Sequence, residues 1–173
     1  TGTGVAAVEQ MMNERKGLDT EMVYPHKIDQ NCFPHGGDFL ENGYTSEEVK
    51  LENETKKIFN DPTIKVTATV VRIPVIGGHS MAVNIETENT FKINDIHDAL
   101  QSSSGIIIQN DNINNDYPMP ITAHDKNEVF VGRIRLDKTI KNGLNLWIVA
   151  DNLRKGAATN AVQIAQYLIT KKL

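Results

Sequence analysis

The sequence has 173 residues, a formal net charge of −4 and one cysteine, Cys32. That length suits a single domain, spanning 1–173, with a sizeable core. The acidic balance, with no Lys/Arg run, argues against a nucleic-acid partner. A lone thiol leaves no intramolecular disulfide and no thiolate cluster for zinc, which fits a reducing compartment. No run of about 18 apolar residues and no basic-then-apolar leader is present, so no membrane partner is expected and the cytoplasm is the expected location.

The chain opens at Thr1-Gly2-Thr3-Gly4, which leads straight into a helical apolar spacing over Val5 to Arg15 that stops at Gly17. An opening at a loop-to-helix junction reads as a piece of a longer polypeptide. The glycine-spaced threonines could offer backbone N–H groups to an anion or to a cofactor amide, although one Gly-x-Gly is no dinucleotide fingerprint. A loop-rich stretch follows through Tyr24-Pro25-His26 and Asn31-Cys32-Phe33-Pro34-His35-Gly36-Gly37. Thr45 or Ser46 can cap a second helix, with Glu47 and Glu48 in its first turn, running to Phe59 before Asp61-Pro62. Lys65 to Ile73, rich in Val and Thr, predicts a strand, as does Met81 to Glu88 after the Gly77-Gly78 turn. Asn94 to Leu100 predicts a short helix, Gly105 to Gln109 a buried strand and Asn110 to Asp116 a loop. Val129 to Leu136 and Leu144 to Ala150 read as strands joined at Asn142-Gly143, and Gly156 to Thr170 as a closing helix with a small-residue face.

Strands separated by a turn alone must pair antiparallel, because a parallel crossover takes a dozen or more residues. The expected fold is therefore α+β, with a mixed, mostly antiparallel sheet covered by helices on one face.

Two side chains carry the chemistry in Val71-Arg72-Ile73-Pro74-Val75-Ile76-Gly77-Gly78-His79-Ser80. Arg72 can grip a carboxylate with two parallel hydrogen bonds, and His79, one Pro/Gly-rich turn away, can move protons near neutral pH. Together they suggest acid chemistry on an anionic substrate. Taken singly, each is more often a solvated surface residue. Glu47 and Lys50 share a helix face, where an exposed ion pair is worth about 0.2–0.5 kcal/mol. Cys32 reads as a small buried hydrophobe and His35 as structural. His26, His97 and His124 show no pairing with carboxylates or cysteines at ligand spacing, so no metal site is expected.

The Arg-x-Pro-x-x-x-Gly-His-Ser segment closely resembles the substrate-binding and proton-transfer segment of aspartate-semialdehyde dehydrogenases. The Glu-x-x-Lys of the second helix and Asp151-Asn152-Leu153-Arg154-Lys155-Gly156-Ala157-Ala158 are similar to two further motifs of that family. The resemblance covers Thr1 to about Leu168. It implies the catalytic and dimerisation half of the enzyme, with a fold like the C-terminal domain of glyceraldehyde-3-phosphate dehydrogenase. The final helix, about 154–171, is then expected to pack toward a dinucleotide-binding domain. By the same resemblance, Arg72 binds the substrate α-carboxylate and His79 is the general acid/base. Lys50 takes the inorganic phosphate and Glu47 meets the substrate amino group. Thr1, Gly2 and Asn152 lie at the NADP cofactor, with Asn152 on the nicotinamide carboxamide. The implied reaction is NADPH-dependent reductive dephosphorylation of L-aspartyl 4-phosphate to L-aspartate 4-semialdehyde, in lysine, threonine and methionine synthesis, by a homodimer.

The family's glycine-rich dinucleotide loop, its nucleophilic cysteine and its second phosphate-binding arginine have no counterpart in these residues. The resemblance implies that they precede Thr1 and that this chain alone does not turn over. Two other readings remain at this point. One is a non-catalytic dimerisation module with a vestigial anion pocket, and the other is a cysteine hydrolase using Cys32, which the Asn-Cys-Phe-Pro context disfavours.

Overall fold

A computed structural model describes residues 3–171, which fall into two compact units, Thr3–Pro74 and Val75 onward. In the first unit, α1 (Val5–Arg15) begins after Gly4 and buries Ala7 and Met11 against Tyr24, Ile28 and Phe33. This apolar cluster is small, and polar side chains of α1 complete it. The fully buried Gln10 accepts the backbone N–H groups of Val23 and Tyr24 through Oε1, and Glu14 Oε2 accepts those of Ile28 and Asp29 at 2.8 Å each. Arg15 holds the buried Asp29 carboxylate at 2.7 Å. A loop without regular structure can thus be packed because α1 supplies the acceptors its backbone donors need.

α2 (Ser46–Phe59) starts where the sequence places it. Thr45 is the N-cap, and its N–H donates to Glu48 Oε2 at 2.8 Å, the carboxylate arm of a capping box. The helix ends at Asn60, whose φ of 52° is the left-handed conformation asparagine tolerates. Beyond it, the expected strand over Lys65 to Ile73 alternates in exposure, but among the described residues it joins no sheet. Its one ladder contact among the described residues is the bridge between Phe33 and Arg72. Alternation reports the conformation of a segment, and pairing depends on a neighbour the segment itself does not encode. Here Glu48 fills part of that gap, its Oε1 accepting the Val70 N–H at 2.8 Å.

Glu48 therefore ties the start of α2 to the 65–73 segment through one buried carboxylate. The Thr45 N–H and then the Val70 N–H hold its carboxyl below the usual carboxylate range, against the opposing effect of burial. A depressed folded-state pKa contributes stability that is present above the unfolded value and is lost as pH falls through the folded one. Glu48→Gln leaves one of the two N–H donors facing an amide NH₂, so it is expected to cost about 1–3 kcal/mol at pH 7. The variant should also lose less stability between pH 5 and 3 than the parent, as denaturant unfolding across that range will measure. An E48Q curve parallel to the parent's at every pH would refute the assignment.

The second unit holds β1 (His79–Glu86), α3 (Ile93–Ser102), β2 (Ile106–Ile108), α4 (Pro120–Ala123), β3 (Val129–Asp137), β4 (Gly143–Ala150) and α5 (Thr159–Lys171), with a single π-type turn over Arg154–Ala158 leading into α5. The strands form one sheet in the order β1-β4-β3-β2. β4 pairs antiparallel with both β1 and β3, and β2 pairs parallel with β3 after a long connection that includes α4. The sheet is thus mixed and mostly antiparallel. Val83 and Ile85 on β1, Val131 on β3 and Leu144 and Leu146 on β4 pack with Ile93, Ile96 and Leu100 of α3 to form the main core. Ala123 of α4 closes a smaller cluster with Phe130 and Val149 on the opposite face, since neighbouring strand residues point opposite ways. Asn142, at φ 55°, makes the β3–β4 turn that Asn142-Gly143 predicts. Along α5, Val162, Tyr167 and Ile169 remain exposed. No helix among the described residues is long and apolar enough to cross a membrane.

Candidate functional site

The two units each present part of the expected constellation, and each part has its own local logic. In the first unit, Arg72 exchanges both backbone hydrogen bonds with Phe33, its N–H donating at 2.9 Å and its carbonyl accepting at 3.2 Å. Its Nε donates to the His35 carbonyl at 3.2 Å. The backbone and the near end of the guanidinium are therefore fixed by the Phe33–His35 loop. That loop approaches closely because Gly36 has no side chain: a Cβ there would lie 2.6 Å from Val70 Cγ1. Glu47 and Lys50 lie one helical turn apart on α2 as an exposed ion pair, Oε1 to Nζ 3.8 Å. Glu47 also donates its N–H to the Gly36 carbonyl, which ties the beginning of α2 to the same loop.

Cys32, expected to be buried, is exposed. The cause is local alternation: Phe33 turns inward against α1, so its neighbour turns outward. His35 has the structural placement expected of it, its ring edge-on to Tyr24 and stacked at 4.8 Å on Phe39.

In the second unit His79 is the first residue of β1, paired with Ala150 at the last position of β4, and its side chain is exposed. The turn before it is held by its neighbours across the sheet end. The Gly78 N–H donates to Asn152 Oδ1 at 2.8 Å. Gly77 has φ 69°, and a Cβ on it would fall 2.5 Å from His124 Nδ1, so the imidazole of His124 lies flush against that turn. Gly156 borders His79 more loosely: a Cβ there would make ordinary contact, 3.8 Å from His79 Cε1. Asn152 thus sits beside the His79 turn and directs its amide oxygen at that backbone. Thr1 and Gly2, the other expected cofactor contacts, lie outside the described residues.

Sequence reasoning missed the pair beneath this turn. His124 does meet carboxylates: its Nδ1 is 3.3 Å from Asp151 Oδ2, and its Nε2 is 3.8 Å from Asp125 Oδ2. Asp151 is buried, and it accepts the N–H groups of Leu153 and Arg154 through Oδ1 at 2.8 Å each and that of Asp125 through Oδ2 at 2.9 Å. Burial works to raise its pKa, but the three backbone donors and the charge of His124 outweigh it and hold the carboxyl below the usual range. The ligand-type atoms of His124, Asp125 and Asp151 lie within 4.8 Å of one another. With the Asp151 oxygens already engaged by three N–H groups, the cluster reads as an anchor for two loops instead of a cation site. An Asp two residues ahead of a helix-entry turn is a capping signal. The sequence offers no signal for its meeting with His124, which is a long-range contact.

Comparison with known proteins identifies the family and the fold. Residues 1–155 match the family model described as semialdehyde dehydrogenase, dimerisation domain. The aspartate-semialdehyde dehydrogenase of Aquifex aeolicus is 46% identical over 179 residues, covering 100% of this chain and 53% of that protein. That of Bacillus subtilis is 42% identical over 186 residues, again covering 100% of this chain and 53% of the relative. The crystal structure of aspartate semialdehyde dehydrogenase II from Vibrio cholerae, complexed with ASA, superposes with a TM-score of 0.85 at 42% identity, over 95% of this chain and 49% of that one. The chain spans about half the length of the curated relatives it matches. On these grounds the chain belongs to the semialdehyde dehydrogenase family, of which it carries the dimerisation domain.

Proposed function

We propose that this chain is the catalytic and dimerisation portion, a single domain over 1–173, of a cytoplasmic aspartate-semialdehyde dehydrogenase. The enzyme would reduce L-aspartyl 4-phosphate to L-aspartate 4-semialdehyde and inorganic phosphate, on the route to lysine, threonine and methionine, as a homodimer. The observation that carries this reading is the Arg72-to-His79 segment, in which the arginine backbone is locked by its bridge to Phe33 and the histidine opens β1 with an exposed ring. Arg72 binds the α-carboxylate, Glu47 the amino group and Lys50 the phosphate, for which a mobile point charge is suited. His79 holds and returns the proton that moves as the nucleophile attacks and departs.

NADPH supplies the hydride. Asn152 fits the carboxamide of such a cofactor: with its Oδ1 engaged by the Gly78 N–H, the amide NH₂ is the end left to donate to a carbonyl oxygen. Thr1 and Gly2 would add backbone contacts. The dinucleotide-binding domain and the nucleophile belong to the preceding half of the polypeptide, against which the exposed apolar side chains of α5 would pack, and without that half the chain is inactive.

The test is phosphate-dependent reduction of NADP by aspartate semialdehyde, assayed with the complete polypeptide. Turnover that requires phosphate supports the reading, and a complete polypeptide without it sinks the reading. Within that assay, Lys50→Ala is expected to raise the KM for phosphate by about tenfold, the equivalent of roughly 1.4 kcal/mol for one charge-assisted contact. Its KM for aspartate semialdehyde should change less than threefold. A variant whose two KM values rise together would remove Lys50 from the phosphate site.

A further inference from the structure

The His79 turn is backed by two side chains, His124 and Asp151, that no part of the proposed chemistry uses. Gly77, at φ 69°, folds directly against the His124 ring, whose Nδ1 would lie 2.5 Å and Cε1 3.0 Å from a Cβ placed there. His124 cannot retreat freely, since Nδ1 is 3.3 Å from Asp151 Oδ2 and Asp151 is pinned by the N–H groups of Asp125, Leu153 and Arg154. The next residue of the turn, Gly78, donates its N–H to Asn152, the neighbour of Asp151. One buried carboxylate therefore backs both contacts on the turn. It orients the ring on one side, and through the 151–154 loop it sets the amide on the other.

We infer that His124, held by Asp151, is a positioning residue for His79: its ring is the wall that sets the Gly77-Gly78 turn and hence the direction from which the His79 imidazole meets the reacting atoms. The Asp151 carboxylate, 3.3 Å from Nδ1, draws a protonated ring toward itself and so keeps it against Gly77. If the wall is removed, a turn built of two glycines has many conformations open to it. A displacement of about 1 Å at a proton-transferring group costs on the order of 100-fold in rate.

The inference rests on the proposed dehydrogenase reading for its kinetic arm alone. In the complete polypeptide labelled with ¹³C at histidine, His124→Ala is expected to shift or broaden the His79 Cε1–H resonance, assigned by its loss in His79→Gln, while the His97 resonance stays in place. In the phosphate-dependent assay the same variant should lose about 10- to 100-fold in kcat, with the KM for aspartate semialdehyde within about threefold of the parent's. His124→Asn, which places an amide nitrogen where Nδ1 stands, should restore most of the rate. His124→Phe, which keeps the ring and drops the donor, should restore less. An unmoved His79 resonance together with an unchanged kcat in H124A overturns the proposal. If H124A fails to fold, the Asn and Phe variants decide: Asn near the parent and Phe displaced supports the positioning role, and both near the parent overturns it. A wild-type polypeptide without dehydrogenase turnover would overturn the functional reading instead, and the resonance comparison would still judge the role of His124.

Discussion

His79→Ala in the complete enzyme is expected to lower kcat/KM for aspartate semialdehyde by about 100- to 10,000-fold, the range a positioned acid/base group contributes. The structure makes this variant a clean one. His79 opens β1, its backbone is paired with Ala150, and the residue is exposed, so alanine leaves the backbone pairing of the strand in place. Surface substitutions of that kind stay within about 0.5 kcal/mol in stability, and thermal unfolding will show whether this one does. The loss should lie in kcat, because the carboxylate, amino and phosphate contacts belong to other residues. His79→Gln keeps a hydrogen-bonding side chain but cannot exchange a proton near neutral pH, so it should fall nearly as far as alanine. It should also lose the limb of the pH–rate profile that a histidine sets. A glutamine variant that retains parental kcat would remove His79 from proton transfer.

What could be read from the sequence follows the range of the forces involved. Local signals were accurate: the Thr45 and Glu48 capping pair fixes the start of α2, Asn142-Gly143 makes the β3–β4 turn, and that short connection gives one antiparallel pair. The expected strands at 81–88, 129–136 and 144–150 match β1, β3 and β4 to within two residues at each end. His79 differs in an informative way, since it is the first residue of the strand and not part of the loop before it, which fixes its backbone more firmly than a turn would. Non-local partners were the part that escaped. The alternation over Lys65 to Ile73 is real, but the segment finds a side-chain carboxylate and one bridge where a sheet neighbour was expected. The burial of Cys32 was misjudged because inward or outward depends on which residue of the Cys32-Phe33 pair meets α1. The anchoring of the His79 turn by His124 and Asp151 joins two loops far apart in sequence, and no residue pattern within either loop announces it.

Arg72→Ala in the complete enzyme should raise the KM for aspartate semialdehyde by about 100-fold, the equivalent of roughly 2.7 kcal/mol for two charge-assisted hydrogen bonds to a carboxylate. Its backbone exchanges two hydrogen bonds with Phe33, and alanine keeps both, so the 65–73 segment should hold its course while the guanidinium disappears. The Nε donor to the His35 carbonyl goes with it, and a drop in thermal stability of about 1 kcal/mol is the expected cost of that loss. Arg72→Lys keeps the charge and loses the planar fork, so it should recover less than half of the binding free energy. The decisive comparison uses 3-aminopropanal, the same substrate without its α-carboxylate. The parent enzyme should prefer aspartate semialdehyde over this analogue by about the factor that Arg72→Ala costs. In the alanine variant that preference should collapse, because the group the guanidinium would grip is missing from one substrate and its partner from the enzyme. If Arg72→Ala instead weakens both substrates equally, the arginine acts through the loop it braces at His35, and the carboxylate must be bound by another residue.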